Sequence, residues 1–166
     1  YRSEREHHLT TIGFCQQEGV AGEQACLGCL CYAEFRTGDW KESAATARRL
    51  TSEAESVPAI RGIAETTLGL IHTFRGERKP AARLLQAGPA RVRQTGVVGM
   101  EFFALWGLAY GHECDRKPEE AALCYDEIRA LWRETDDLHD ALPALLFAGT
   151  FFARHPDESR LADCLD

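Results

Sequence analysis

Gly38-Asp39-Trp40-Lys41-Glu42-Ser43-Ala44, Gly76-Glu77-Arg78-Lys79-Pro80-Ala81-Ala82 and Cys114-Asp115-Arg116-Lys117-Pro118-Glu119-Glu120-Ala121 read as three versions of one phrase, and their starts lie 38 residues apart. The only three lysines of the chain, Lys41, Lys79 and Lys117, hold the same place in each. Each phrase stops one helix and starts another. Gly38 suits the residue after a helix end, where the left-handed conformation carries no steric cost. Asp39 suits an N-cap. Pro80 and Pro118 fit a first helical turn, where a missing N–H costs nothing. A fixed period of roughly 20–50 residues predicts a stack of repeats.

Outward from these breaks, apolar residues recur at three- and four-residue steps, the mark of amphipathic helices. Residues 3–17, with Leu9, Ile12 and Phe14, form a first helix ended by Gly19 and Gly22. Glu23 to Thr37 carries Leu27, Leu30, Cys31 and Phe35. Trp40 to about Glu55 carries Ala44, Ala47, Leu50 and Ala54. Pro58 opens a helix with Ile60, Ala64, Leu68, Ile71 and Phe74, ended by Gly76. The helix after Pro80 is predicted to kink or break at Gly88-Pro89, to resume with Ala90 to Gln94 and to stop at Gly96. From about Val98 the stripe is Phe102, Leu105, Trp106, Ala109 and Tyr110. From Pro118 it is Ala121, Tyr125, Ile128 and Trp132, closed by Asp136-Asp137. Leu138 to Arg154 follows, then a break at His155-Pro156-Asp157 and a further helix from about Glu158. No run alternates, so no strand is expected. Helical hairpins of this kind cannot bury their apolar faces alone and must stack.

Seven residues before each break stands a small residue, Cys31, Gly69, Gly107 or Ala148, preceded by a large one, Leu30, Leu68, Trp106 or Phe147. The small residue lets two helix axes approach and the large one fills the groove beside it. This pattern resembles the tetratricopeptide repeat, whose first helix carries a large residue followed by Gly or Ala and whose hairpin turn contains Gly, then an aromatic and Ala. Leu30-Cys31, Gly38, Trp40 and Ala44 match it, as do Leu68-Gly69, Gly76 and Ala81, and Trp106-Gly107 with Ala121. The spacing departs from it: 38 to 41 residues against about 34, with no proline at the repeat end. The resemblance implies an all-α fold, a right-handed superhelix of about four hairpins forming one domain over residues 1–166. Longer Ala- and Arg-rich repeats, including Leu138-His139-Asp140-Ala141-Leu142-Pro143-Ala144-Leu145 and Phe151-Phe152-Ala153-Arg154, look similar to the sensor region of large bacterial LuxR-type regulators of the MalT-like class. That likeness implies an ATPase module and a helix-turn-helix domain outside this stretch, which itself contains no phosphate-loop motif. A start without Met and a stop within a predicted helix suit an excised piece.

With 166 residues and 45% hydrophobic residues the chain can bury a core as a single domain. A net charge of −7 disfavours direct nucleic-acid contact. Arg75, Arg78, Lys79, Arg83, Arg91 and Arg93 face only Glu77 locally, whereas acids dominate from Glu113 to Asp140. Complementary pairing between neighbouring helices is the simpler reading; a basic partner-binding helix is the other. Seven cysteines, several on apolar faces, suit a reducing cytoplasm better than a disulfide scaffold. The longest apolar run, Ala141 to Ala153, is too short to span a bilayer.

Chemistry-bearing clusters are few. Cys26-x-x-Cys29-x-Cys31 has ligand-like spacing but lacks a supporting pair for zinc, so packing is the expected role and no metal or cofactor is implied. His7-His8 point to different helical faces. His112-Glu113-Cys114-Asp115 is the one cluster that a helical enzyme would use. Trp106, Trp132, Phe102 and Phe103 read as core. In tetratricopeptide-like arrays the first helices of the pairs line a concave groove. The resemblance therefore places Tyr32, Arg36, Thr66, Thr73, Glu101, Ala104, Gly111 and His112 toward it, with Tyr and Arg as anchors for a protein segment or a small effector. The expected function is non-catalytic recognition relayed to other domains of a regulator. The alternatives are a scaffold for assembly and, less favoured, an enzyme; an exposed apolar flank at the C-terminal end would permit a homodimer.

Overall fold

The computed structural model describes residues 2–20, 22–53, 56–135, 138–155 and 160. Among them are eight α-helices and no strand: α1 (Arg2–Glu18), α2 (Glu23–Thr37), α3 (Trp40–Ser52), α4 (Pro58–Phe74), α5 (Arg78–Arg93), α6 (Val98–Cys114), α7 (Pro118–Thr135) and α8 (Leu138–Arg154). Each packs on the next in sequence. The even-numbered helices also pack on one another, α2 on α4, α4 on α6 and α6 on α8, whereas the backbones of α3, α5 and α7 pack only on their sequence neighbours. The chain is thus two layers, an even row and an odd row, as expected of side-by-side hairpins. No described helix is long and apolar enough to cross a membrane. Ala54, Asp136-Asp137, Pro156-Asp157, the helix expected from Glu158, and Cys164 lie outside the described residues.

The turns correct one element of the sequence reading. Gly38 has φ 87° and Gly76 φ 75°, and the third left-handed residue is Arg116, with φ 59°. The same backbone bond marks all three: the N–H of the following residue, Asp39, Glu77 or Lys117, donates to the carbonyl five residues back, at Glu34, His72 or His112, over 2.9, 2.9 and 3.0 Å. In space the third turn therefore sits two residues later than the phrase suggests. Lys41 and Lys79 lie inside the following helices, whereas Lys117 precedes one. Asp39 occupies the N-cap position but makes no side-chain capping bond; its carboxylate accepts from the Thr37 hydroxyl at 2.8 Å instead.

Helix α5 runs unbroken through Gly88-Pro89. The reason is local packing. A Cβ on Gly88 would lie 2.3 Å from the Thr66 hydroxyl oxygen, and one on Gly62 would lie 2.6 Å from Val92 and 3.0 Å from the Gly88 carbonyl. Two glycines thus let α4 and α5 cross in near-backbone contact. Gly69 serves the same crossing against Leu85, but Gly107 meets Thr66, on α4 rather than on its own hairpin partner α7. The small residues are therefore not all equivalent.

Two apolar clusters form the core. One joins α1 to α5 through residues such as Leu27, Leu50, Ile60, Leu70 and Leu85. The other joins α6 to α8 through Phe102, Tyr125, Ile128, Phe151 and Phe152. Trp106 and Leu108 pack against both. Ion pairs link the helices where the sequence shows complementary charge, both across the layers and within them. Arg91 meets the buried Glu65 at 2.7 Å. Arg93 joins Glu101 at 2.6 Å and also Glu127. Arg154 meets Glu113 at 2.8 Å, and the same carboxylate accepts from the buried Tyr125 hydroxyl at 2.5 Å. Desolvation, then that bond to Glu113, drives the Tyr125 phenol upward from its ordinary pKa.

Candidate ligand groove

The even row leaves a groove of about 840 Å³. Helix α2 lines it with Cys29, Tyr32 and Arg36, α6 with Gly99, Phe103 and Trp106, and α8 with Asp140, Ala144 and Phe147, while Glu4 reaches it from α1. On each helix these positions are three or four apart, which is the spacing that puts side chains on one face. Helix α4 contributes only Ile60 and Ile63; it is packed on α2, α3, α5 and α6 and has little free surface.

The groove is paved with aromatic rings. Tyr32 meets Phe103 edge-on with centroids 4.7 Å apart. Phe103 meets Trp106 at 5.8 Å, and Trp106 meets Phe147 at 4.8 Å. The contacts continue through Tyr110 to Phe74 at 5.4 Å, Phe74 to Trp40 at 5.2 Å, and back through Phe35 to Phe103 at 6.5 Å. Such offset and edge-to-face pairs hold rings in place beyond what their burial supplies. Phe74 and Phe147 remain 43% and 41% exposed, so the panel presents ring surface to solvent. The Arg36 guanidinium sits over the Tyr32 ring, 5.5 Å from its centroid. The Trp40 indole donates to the Phe35 carbonyl at 3.1 Å, whereas the buried Trp106 indole nitrogen has no partner.

The residues singled out from sequence divide among three places. Tyr32 and Arg36 line the groove. Thr73, Gly111 and His112 line a second, smaller cavity of about 140 Å³ at the turn ends of α4–α5 and α6–α7, with Arg78, Asp115 and Lys117. Thr66, Glu101 and Ala104 line neither: Thr66 and Ala104 are fully buried, and Glu101 is engaged by Arg93. Position within a repeat does not show that α4 is surrounded, so a residue on its face is core. Phe103 and Trp106, read as core from their spacing, do pack against the core and also line the groove, while Phe102 is fully buried. Phe35 and Phe147 also line the groove, and Trp40, Phe74 and Tyr110 extend the ring network beyond it; the signal available for all but Trp40, which opens α3, is an aromatic on each even helix.

In the smaller cavity, burial and then the nearby Lys117 charge lower the His112 pKa, and burial raises that of the Cys114 thiol. His112 and Asp115 both line this space but share no hydrogen bond. Of the Cys26-x-x-Cys29-x-Cys31 run, Cys31 is fully buried, with its thiol pushed up to about 11 by burial, and Cys29 is exposed. No group of three or more His, Cys, Asp or Glu among the described residues could hold a metal ion. No protein-family model matches the chain, and no curated protein matches it.

Proposed function

We propose that this chain is a non-catalytic recognition module whose aromatic groove takes a protein segment or a small effector. The carrying observation is the partly exposed ring panel running from Tyr32 through Phe103 and Trp106 to Phe147 in a groove of about 840 Å³. Ligand sites are typically concave, apolar and edged by a few polar groups; here Glu4, Arg36 and Asp140 fill that role. On this reading the two-layer packing is a tetratricopeptide-like superhelix, and the chain is the sensor region of a LuxR-type regulator. A ligand would act by favouring one curvature of the stack over another, which requires different affinity for the two. Because α4 and α5 cross at Gly62 and Gly88 in near-backbone contact, the change would fall between hairpins rather than within that one.

A screen of peptides and metabolites by thermal shift tests the groove. Ligands that stabilise the native chain but not a Cys29→Trp variant, in which the groove is filled, support it; equal stabilisation of both contradicts it. The regulator reading predicts a phosphate-loop ATPase upstream and a helix-turn-helix domain downstream in the full gene product, and their absence would contradict it. A second reading, a scaffold for assembly that includes self-association, is favoured by Leu123 on α7 and Leu146 on α8, which are 67% and 62% exposed.

A further inference from the structure

We infer that the groove is selective for a small lipophilic organic cation, meaning an aromatic or otherwise apolar body bearing one positive charge; this rests on the groove being a recognition site. Three observations converge. The first is the lining: rings of Tyr32, Phe103, Trp106 and Phe147. The negative face of an aromatic ring attracts a cation, most strongly where water is excluded. The groove already contains one such contact, because the Arg36 guanidinium lies over Tyr32. It shows what kind of charge this surface accommodates.

The second observation is the placement of charge. Glu4 enters from α1 and Asp140 from α8, the two ends of the helix order, so a carboxylate stands on each wall. Glu4 makes no hydrogen bond or ion pair with a described residue. Asp140 is held against the first turn of α6: its carboxylate oxygen lies 2.0 Å from where a Cβ on Gly99 would stand. Any larger residue at position 99 would push that carboxylate away. Among the described lining residues the one cation, Arg36, is stacked on Tyr32. The described lining carries two carboxylates against one guanidinium, within a chain of net charge −7, so its field favours a cation over an anion.

The third observation is size. About 840 Å³ falls within the roughly 300–1,000 Å³ of small-molecule sites. Residues of α1 and α2 line one side of the groove and residues of α8 the other.

The test uses the full chain and three fluorescent probes of comparable apolar bulk: rhodamine 6G, which is cationic, Nile red, which is neutral, and anilinonaphthalene sulfonate, which is anionic. Anisotropy titrations are expected to give rhodamine 6G a Kd about five- to tenfold below that of Nile red, with the anion weakest. The pair of substitutions Glu4→Gln and Asp140→Asn should remove that advantage, weakening rhodamine 6G more than Nile red, with circular dichroism confirming the fold. Added salt should weaken only the cation. Equal affinity for cation and neutral probe, a preference for the anion, or retention of the cation's advantage in the double variant overturns the cation assignment while leaving the groove as a binding site. Tighter binding of a short Leu/Lys amphipathic helical peptide than of rhodamine 6G overturns the small-molecule assignment. Binding of none of these probes overturns both the cation assignment and the groove reading beneath it.

Discussion

The hydroxyl oxygen of Thr66 lies 2.3 Å from the point where a Cβ on Gly88 would stand. Thr66 is fully buried, and its hydroxyl donates to the Gly62 carbonyl at 2.9 Å. This three-residue contact explains why a Gly-Pro pair that reads as a kink or break does not end α5. The missing Cβ brings the helices together, and the packed hairpin then holds the backbone helical across the proline.

Gly88→Ala is therefore expected to destabilise the fold. Alanine gains about 1 kcal/mol in helix propensity, but overpacking a core contact costs about 1–3 kcal/mol. The clash dominates because Thr66 is short, β-branched and enclosed, and cannot swing aside. Urea unfolding should show a net loss of about 1–2 kcal/mol. The double variant with Thr66→Ala should lose less than the sum of the two single changes; strict additivity would show that the two residues do not meet.

Arg116→Gly should stabilise the chain. Arg116 holds φ at 59° in the third turn, where the first two turns have glycine. Relief of the left-handed strain outweighs the added freedom of glycine in the unfolded chain by about 0.5–1 kcal/mol. Gly76→Ala should move the melting temperature the other way. Shifts of the same sign would place the third turn elsewhere.

Glu34 sets a pH dependence. Its side chain is buried, Arg5 contacts one oxygen at 3.3 Å, and the other oxygen has no partner. Burial raises its pKa above 4.5, and Arg5 opposes that rise. The native state thus holds this proton more tightly than the unfolded chain does. The contribution is fully present below the unfolded value and is lost as pH rises through the folded one. Glu34→Gln, which never ionises, should be more stable than the native chain at pH 7 by about 1 kcal/mol. That advantage should fade toward pH 4; an advantage independent of pH would contradict the assignment.

Thiol labelling should separate the cysteines. Cys29 and Cys114 are exposed, whereas Cys31 and Cys124 are buried with thiols pushed up to about 11 by burial. Reaction with a chromogenic disulfide should modify the first two before the others, and faster as pH rises, since burial raises both of their thiols too. A groove ligand should protect Cys29 and leave Cys114 unchanged, because Cys114 lines the other cavity. Equal protection of both would place the ligand elsewhere.

The helices were legible in the sequence because their stops and starts are chemical. Glu23 to Thr37 and Leu138 to Arg154 end where glycine and periodicity say they should. The third turn was not, because Arg116 takes a conformation that its side chain does not advertise, and the eye aligns Lys117 with Lys79 instead. Gly88-Pro89 misleads for a different reason: the contact that keeps α5 whole comes from Thr66, on another helix. The groove was half legible. Tyr32 and Arg36 follow from the first-helix rule, but Thr66 and Glu101 obey the same rule and are enclosed by neighbours that periodicity cannot see. Phe74 reads as a core position and is exposed, because it stands at the helix end where the aromatic panel emerges.

The groove itself is tested most directly by the affinity of Nile red for the native chain and for Cys29→Trp. Cys29 is exposed and lines the groove, so the substitution fills the space without disturbing the core. The expected result is binding by the native chain, weakened about tenfold or more in the variant, with an unchanged melting temperature. Equal affinity in the two proteins, or no binding by the native chain, would contradict the central claim that this aromatic groove is where the protein recognises its ligand.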